Sequence, residues 1–201
     1  CVIDALFPFF CVACGKEGEI WCESCRPAMT NLQSCGDGKS FFAVSYEESS
    51  AVVKALLACK YHGVEELGFL VGAWVGGAIL NEERLRHRLL VPVPLHPRRM
   101  AERGFNQSES IARGIASVTG QCVERGISRV RYTGQQARLS KEKRVTNVEN
   151  AFVASGVILG SKSLLVVDDV YTTGSTMHEC VSACGDIGVK DVLCFAVAHD
   201  W

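Results

Sequence analysis

The longest apolar run in this chain, Leu67 to Leu80 with its glycines counted, is 14 residues. A membrane-spanning helix needs about 20, so membrane insertion is not expected. Gly68, Gly72 and Gly76 recur every fourth residue within the run. They share one face of a helix and open it to close approach by another backbone, so the run reads as a buried helix. The apolar stretch from Val2 to Phe10 is broken by Asp4 and Pro8 and has no basic leader, which makes a poor export signal. The chain also lacks a G-x-G-x-x-G fingerprint and a G-x-x-x-x-G-K-[ST] loop, which removes two common nucleotide-binding readings. It has no RNP-like aromatic motif or helix-turn-helix signature, so composition must carry any nucleic-acid case.

What is present argues for a folded chain. Apolar residues make up 48% of the 201 positions, enough for a full core in one medium domain with a small appendage. Of the 11 cysteines, all but Cys1 fall into two populations. Cys59, Cys122, Cys180, Cys184 and Cys194 sit among apolar neighbours, where a free thiol behaves as a small hydrophobe. Cys11, Cys14, Cys22, Cys25 and Cys35 crowd a polar N-terminal stretch. Without an export signal this usage fits a reducing cytoplasm rather than a disulfide scaffold.

The N-terminal cysteines form two C-x-x-C pairs, Cys11/Cys14 and Cys22/Cys25, seven residues apart. Each C-x-x-C turn places two sulfurs on one ion, so four thiolates can surround a tetrahedral Zn²⁺. Gly15 follows the first pair directly and fits the tight turn. So short a segment can hardly bury a core of its own, and the metal would supply much of its folding free energy. A redox C-x-x-C or an iron–sulfur cluster is the competing reading. Cys35 is a candidate extra ligand.

Net charge is −1 overall, but its distribution is uneven. Between Arg98 and Arg144 there are 11 Lys and Arg against 4 Asp and Glu, a balance of +7, and the remainder carries −8. A basic centre suits a polyanion, either a polyphosphate sugar or nucleic acid; a plain solvated basic face is the alternative.

Two parts are expected: residues 1–38 as a zinc-ribbon-like module and 39–201 as an α/β domain with a mostly parallel sheet. In the second part Phe41 to Tyr46, Leu89 to Pro94, Ser163 to Val167 and Val192 to Ala198 read as strands. Ser49 to Lys60, a helix opening at Asn106-Gln107-Ser108-Glu109, and Ser175 to Ile187 read as helices, the last stopped by Gly188. Arg131 to Asn150 is polar and basic with few apolar anchors, and reads as an excursion from the core.

The most informative stretch is Val166-Val167-Asp168-Asp169-Val170-Tyr171-Thr172-Thr173-Gly174-Ser175-Thr176. Carboxylates at the carboxyl end of a parallel strand face the crevice where α/β proteins bind ligands. Asp168 and Asp169 can accept hydrogen bonds from two ribose hydroxyls. The backbone N–H groups of Thr173 to Thr176, at a helix N-terminus, can cradle a phosphate, and Gly174 permits the close turn. A ribose 5-phosphate fits this arrangement end to end. A helix-capping or Mg²⁺-binding acidic pair of the Walker-B kind is the alternative, but it wants the Gly-rich lysine loop that is missing.

This segment resembles the phosphoribosyl-pyrophosphate (PRPP) loop of type I phosphoribosyltransferases, in the form seen in the ComF family. Three further stretches match that family: the cysteine pairs; Val91-Pro92-Val93-Pro94-Leu95-His96-Pro97-Arg98-Arg99 running on into Arg103-Gly104-Phe105-Asn106-Gln107; and Leu139-Ser140 followed by Arg144, Asn147, Val148, Ala151 and Phe152. The resemblance implies a type I phosphoribosyltransferase-like core with an N-terminal zinc module. It implies PRPP bound with Mg²⁺ by Asp168, Asp169, Thr172, Thr173, Gly174, Ser175 and Thr176, with Arg98 and Arg99 in a pyrophosphate loop. By position Arg131 to Asn150 matches the loop that closes over PRPP in this fold, where Arg138, Lys141, Lys143 and Arg144 are placed to stabilise departing pyrophosphate. Asp168, Asp169 and Arg144 are the catalytic candidates. Family members are linked to DNA uptake in natural competence, which implies single-stranded DNA and competence-machinery proteins such as a helicase as partners. Two other roles stay open: an active phosphoribosyltransferase of nucleotide metabolism or salvage, and a PRPP-sensing regulator.

Overall fold

A computed structural model describes residues 8–29, 31–46, 50–132, 150–161 and 163–200. Four strands run parallel in the spatial order β2 (Ser40–Ser45), β7 (Asp191–His199), β6 (Ser163–Tyr171) and β3 (Leu89–Pro92). The two-residue β1 (Gln33–Ser34) pairs antiparallel outside β2. Along β6, Leu165 and Val167 enter one apolar cluster while Leu164 and Val166 enter another; Leu193, Phe195 and Val197 of β7 alternate with Val192, Cys194 and Ala196 in the same way. Both faces of the sheet are thus covered, which is why these strands read as continuous apolar runs.

Helices α1 (Ser50–His62), α2 (Glu65–Asn81) and α4 (Gln107–Thr119) supply the first cluster, through residues such as Leu56, Val71 and Ile111. The short α3 (Pro97–Arg103) lies between β3 and α4. Helix α5 (Ser175–Asp186) and a two-stranded ribbon, β4 (Ile127–Arg129) with β5 (Phe152–Ala154), supply the other cluster. This is the expected α/β core, a mostly parallel sheet flanked by helices. No helix among the described residues is long and apolar enough to cross a membrane.

Several boundaries differ from the sequence reading, each for a physical reason. Strand β6 does not stop before the acids but runs on through them, because β7 continues alongside: Asp168 pairs with Ala196 and Tyr171 with His199. Strand β3 ends two residues early, although the Val93 N–H still donates to the Val167 carbonyl at 2.9 Å. The arginine-bearing segment after it is a helix rather than a loop. Pro97 sits at its first position, and the His96 ring nitrogen accepts from the Arg98 N–H at 3.2 Å. At α4 the cap is Asn106, whose side chain accepts from the Ser108 N–H at 3.1 Å, while Glu109 turns to Arg113 and Arg125.

The glycine stripe of α2 does what its spacing predicts. A Cβ on Gly72 would stand 2.0 Å from the Ile111 carbonyl oxygen, and one on Gly114 would stand 2.0 Å from the Phe69 carbonyl oxygen. The α2 and α4 backbones therefore touch, and this contact fixes the N-terminus of α4 over the sheet. Gly72→Ala is expected to cost stability at the upper end of the about 1–3 kcal/mol typical of overpacking. Gly77, which meets nothing within 4 Å, should accept Ala without loss because a helix interior prefers it. Thermal unfolding of the two variants checks the contrast.

The N-terminal segment docks on the same helices. Trp21 is fully buried in the first cluster with Cys11 and Cys22, and meets Trp74 of α2 edge to face at 5.7 Å. The Trp74 indole N–H donates to the Pro27 carbonyl at 2.9 Å, and the Lys54 ammonium to the Ala13 carbonyl at 3.1 Å.

Candidate functional site

The carboxyl ends of all four parallel strands open on one cavity of about 590 Å³, reached through Tyr46, Val93, Thr172 and Asp200. Its floor is the acidic pair. Asp168 Oδ1 accepts from the Ser108 hydroxyl at 2.8 Å and from the Asp169 N–H at 2.9 Å. Ser108 reaches it because the Asn106 side chain also donates to the Val93 carbonyl at 3.0 Å, tying the start of α4 to the end of β3. Asp169 Oδ1 accepts from the Val170 N–H at 2.9 Å, and its Oδ2 lies 3.2 Å from the Lys60 ammonium.

These surroundings split the pair. Burial, and then the neighbouring Asp169, pushes the Asp168 carboxyl up to about 7. Burial works against ionised Asp169 too, but the Lys60 ammonium outweighs it and holds that carboxyl below its ordinary value. Lys60 is held charged in return, first of all by Asp169. Asp169 is thus the more acidic member of the pair, and Asp168 the one that gives up its proton last.

After β6 the chain turns through Thr172, Thr173 and Gly174 into α5. Gly174 has φ +73°, and a Cβ there would fall 2.2 Å from the Tyr171 hydroxyl, so the position is closed to other residues on both counts. Thr173 and Ser175 hydroxyls lie 2.8 Å apart. The N-cap of α5 is Gly174, which has no side chain to offer; the Thr173 hydroxyl oxygen accepts from the Ser175 N–H at 3.4 Å, and the positive dipole end of the helix lies at the cavity that Ser175, Thr176 and Met177 line. Such an end accepts a phosphate without further rearrangement.

Of the site residues expected from sequence, Asp168, Asp169, Thr172, Thr173, Gly174, Ser175, Thr176 and Arg99 all line this one cavity. Arg98 does not: its side chain is two-thirds exposed, pairs with Glu102 at 3.2 Å, and lies over the Tyr132 ring at 4.9 Å. Arg138, Lys141, Lys143 and Arg144 fall outside the described residues. The structure adds Lys60, Arg103, Ser108, Arg129 and Asp200 to the lining. Arg103 lies in the family-matching stretch Arg103-Gly104-Phe105-Asn106-Gln107, whereas Lys60, Arg129 and Asp200 lie in no such stretch. A signal for Lys60 existed. It follows Val52 and Leu56 at four-residue intervals, so it continues the buried stripe of α1 where a polar residue needs a reason.

The four paired cysteines gather separately. Their sulfurs all lie within 4.8 Å of one another, and Cys35 is not among them. The Cys14 and Cys22 sulfurs are 3.7 Å apart, close to the roughly 3.8 Å edge of a tetrahedron with Zn–S bonds of about 2.3 Å. The Cys22 N–H points at the Cys11 sulfur at 3.4 Å. Burial would push the Cys11 thiol up, but N–H groups from Cys22, Cys14 and Ala13 bring it down to about 6, whereas the neighbouring Cys14 and Cys22 sulfurs push Cys25 up to about 12. Four sulfurs this close form a donor set that could hold a metal ion, and it fits zinc.

No protein-family model matches the chain. Among characterised proteins it is 42% identical over 91 residues to the DNA utilization protein YhgH of Salmonella typhi, covering 45% of this chain and 40% of that one. It is 30% identical over 127 residues to the competence protein ComFC of Streptococcus pneumoniae, covering 62% and 55%. The match thus spans about half the length of these relatives or less. A solved structure of glutamine PRPP amidotransferase from B. subtilis, complexed with ADP and GMP, aligns with 64% of this chain and 26% of its own at 22% identity and a TM-score of 0.43. The named relatives bear out the resemblance to the ComF family that the motifs carry.

Proposed function

We propose that this chain binds PRPP with Mg²⁺ in the cavity above β6, and that it serves DNA uptake as a ComF-type protein. The observation that carries the reading is convergence on one cavity: an acidic pair, a helix start with four hydroxyl side chains, and Arg99 with Arg103. In this reading the 5-phosphate sits on Thr172 to Thr176 and the ribose hydroxyls donate to Asp168 and Asp169. The pyrophosphate meets Arg99, with Arg98 and Arg144 as further candidates, and Zn²⁺ holds the N-terminal cysteines in a module of residues 1–38. PRPP is then expected to raise the melting temperature, more so with Mg²⁺, and ribose 5-phosphate to do so less. A melting temperature indifferent to PRPP rejects the reading.

Single-stranded DNA and competence proteins such as a helicase are the proposed partners, in a cytoplasmic setting. The support is the names of the relatives and the basic segment from Arg98 to Arg144. If that segment meets DNA phosphates, affinity for a single strand falls steeply with salt, and replacing Arg138, Lys141 and Arg144 together lowers the slope of log K against log salt by roughly 2. Filter binding across a salt series measures this, and a flat dependence in the parent protein counts against direct DNA contact. A second reading, transfer of the phosphoribosyl group to an amine or base, is favoured by the intact acidic pair at ribose height.

A further inference from the structure

Lys60 has no place in the phosphate-loop argument, yet its ammonium lies 3.2 Å from Asp169 Oδ2 in the floor of the cavity. It comes from the last turn of α1, an element that contains none of the phosphate-binding or metal-binding motifs named above. A lysine there also complements the helix dipole, and that would be its whole role if the side chain faced solvent. Instead it reaches inward: only 31% of it is exposed, and its partner Asp169 is 7% exposed.

The charges around the cavity make the consequence clear. Its lining carries four cationic side chains, Lys60, Arg99, Arg103 and Arg129, against four acidic ones, Glu102, Asp168, Asp169 and Asp200. Remove Lys60 and the floor becomes two adjacent carboxylates with an acidic excess, which is a cation trap. With Lys60 in place, an ammonium already occupies the side of Asp169 from which a divalent ion would approach.

The geometry points to Lys60 as a built-in counter-ion that excludes free divalent cations from the acidic pair until a phosphorylated sugar brings negative charge of its own. This rests on the reading of the cavity as a phosphoribosyl site, and it deepens that reading by giving an order to events. Metal does not load the empty site; it enters with the anionic ligand. Lys60 is a positioning residue, since it acts through Asp169.

Mn²⁺ is a suitable probe because it prefers carboxylates and is the weakest first-row competitor for thiolates. Its binding is counted by electron paramagnetic resonance on the full chain, without any sugar, for the parent, Lys60→Met and Lys60→Arg. Removing one charge at this distance is expected to tighten Mn²⁺ binding by at least about tenfold in Lys60→Met. Lys60→Arg, which keeps the charge, should exclude the ion as the parent does. A purely structural lysine would leave Mn²⁺ affinity the same in all three, and that result overturns the proposal; so does Lys60→Met binding Mn²⁺ more weakly than the parent. Melting curves show whether this partly buried position tolerates both changes. The comparison uses metal alone, so a parent protein that fails to bind PRPP would end the phosphoribosyl reading while the Lys60 result still stands or falls by itself.

Discussion

Protein carrying Cys22→Ser and Cys25→Ser together should lose its zinc and the docking of its N-terminal segment. The parent is expected to hold one zinc per chain on Cys11, Cys14, Cys22 and Cys25, whose sulfurs already lie within 4.8 Å of one another. Structural zinc contributes about 10–16 kcal/mol of apparent binding free energy in small zinc modules. Only part of that reaches the rest of this protein, because the segment also buries Trp21 and Cys11 against α1 and α2. Losing two thiolates from one C-x-x-C turn leaves two ligands, too few for a closed tetrahedral site. The Trp21–Trp74 edge contact at 5.7 Å reports the event, since undocking exposes both indoles and shifts their fluorescence to the red. Elemental analysis of protein purified without chelator, with the fluorescence shift beside it, checks the expectation. Zinc content that is absent in the parent, or unchanged in the double variant, contradicts it.

The second large effect belongs to the acidic pair. Asp168→Asn and Asp169→Asn keep the shape of each side chain and remove charge. A charge-assisted hydrogen bond is worth about 1.5–3 kcal/mol, so each change should weaken PRPP binding by roughly one to two orders of magnitude. The two are not equivalent. Asn at 168 can still accept from the Ser108 hydroxyl, whereas Asn at 169 leaves the Lys60 ammonium without its carboxylate. Asp169→Asn is therefore expected to be the more damaging. The fold should survive both changes, since the pair faces a cavity rather than packing in either apolar cluster. Circular dichroism establishes that, and equilibrium titration with PRPP ranks the variants.

Much of this could be read from the chain because the signals were local. Strands buried on both faces announce themselves as apolar runs, and Gly68, Gly72 and Gly76 marked the face on which α2 meets α4. The Thr-Gly-Ser-Thr turn carried its own chemistry, and the C-x-x-C spacing located four sulfurs that the fold brings together. What escaped was set by neighbours distant in sequence. The extension of β6 past Asp169 depends on β7 running beside it, which no pattern in residues 163 to 171 reveals. The segment from Pro97 to Arg103 became a helix because Pro97 and the His96 cap start one, while its proline-rich approach suggested a loop. Ser108 and Lys60 reach the acidic pair from 60 and 109 residues away; only tertiary packing brings them there.

The central claim is that one cavity above β6 receives a phosphorylated ribose. Isothermal titration calorimetry of PRPP into the parent protein and into the Asp168→Asn/Asp169→Asn double variant, each with and without Mg²⁺, tests it most directly. The account predicts one site per chain in the parent, tighter with Mg²⁺, and binding lost or weakened by at least about a hundredfold in the double variant. A parent that takes up no PRPP, or a double variant that binds it as tightly as the parent, would contradict the account.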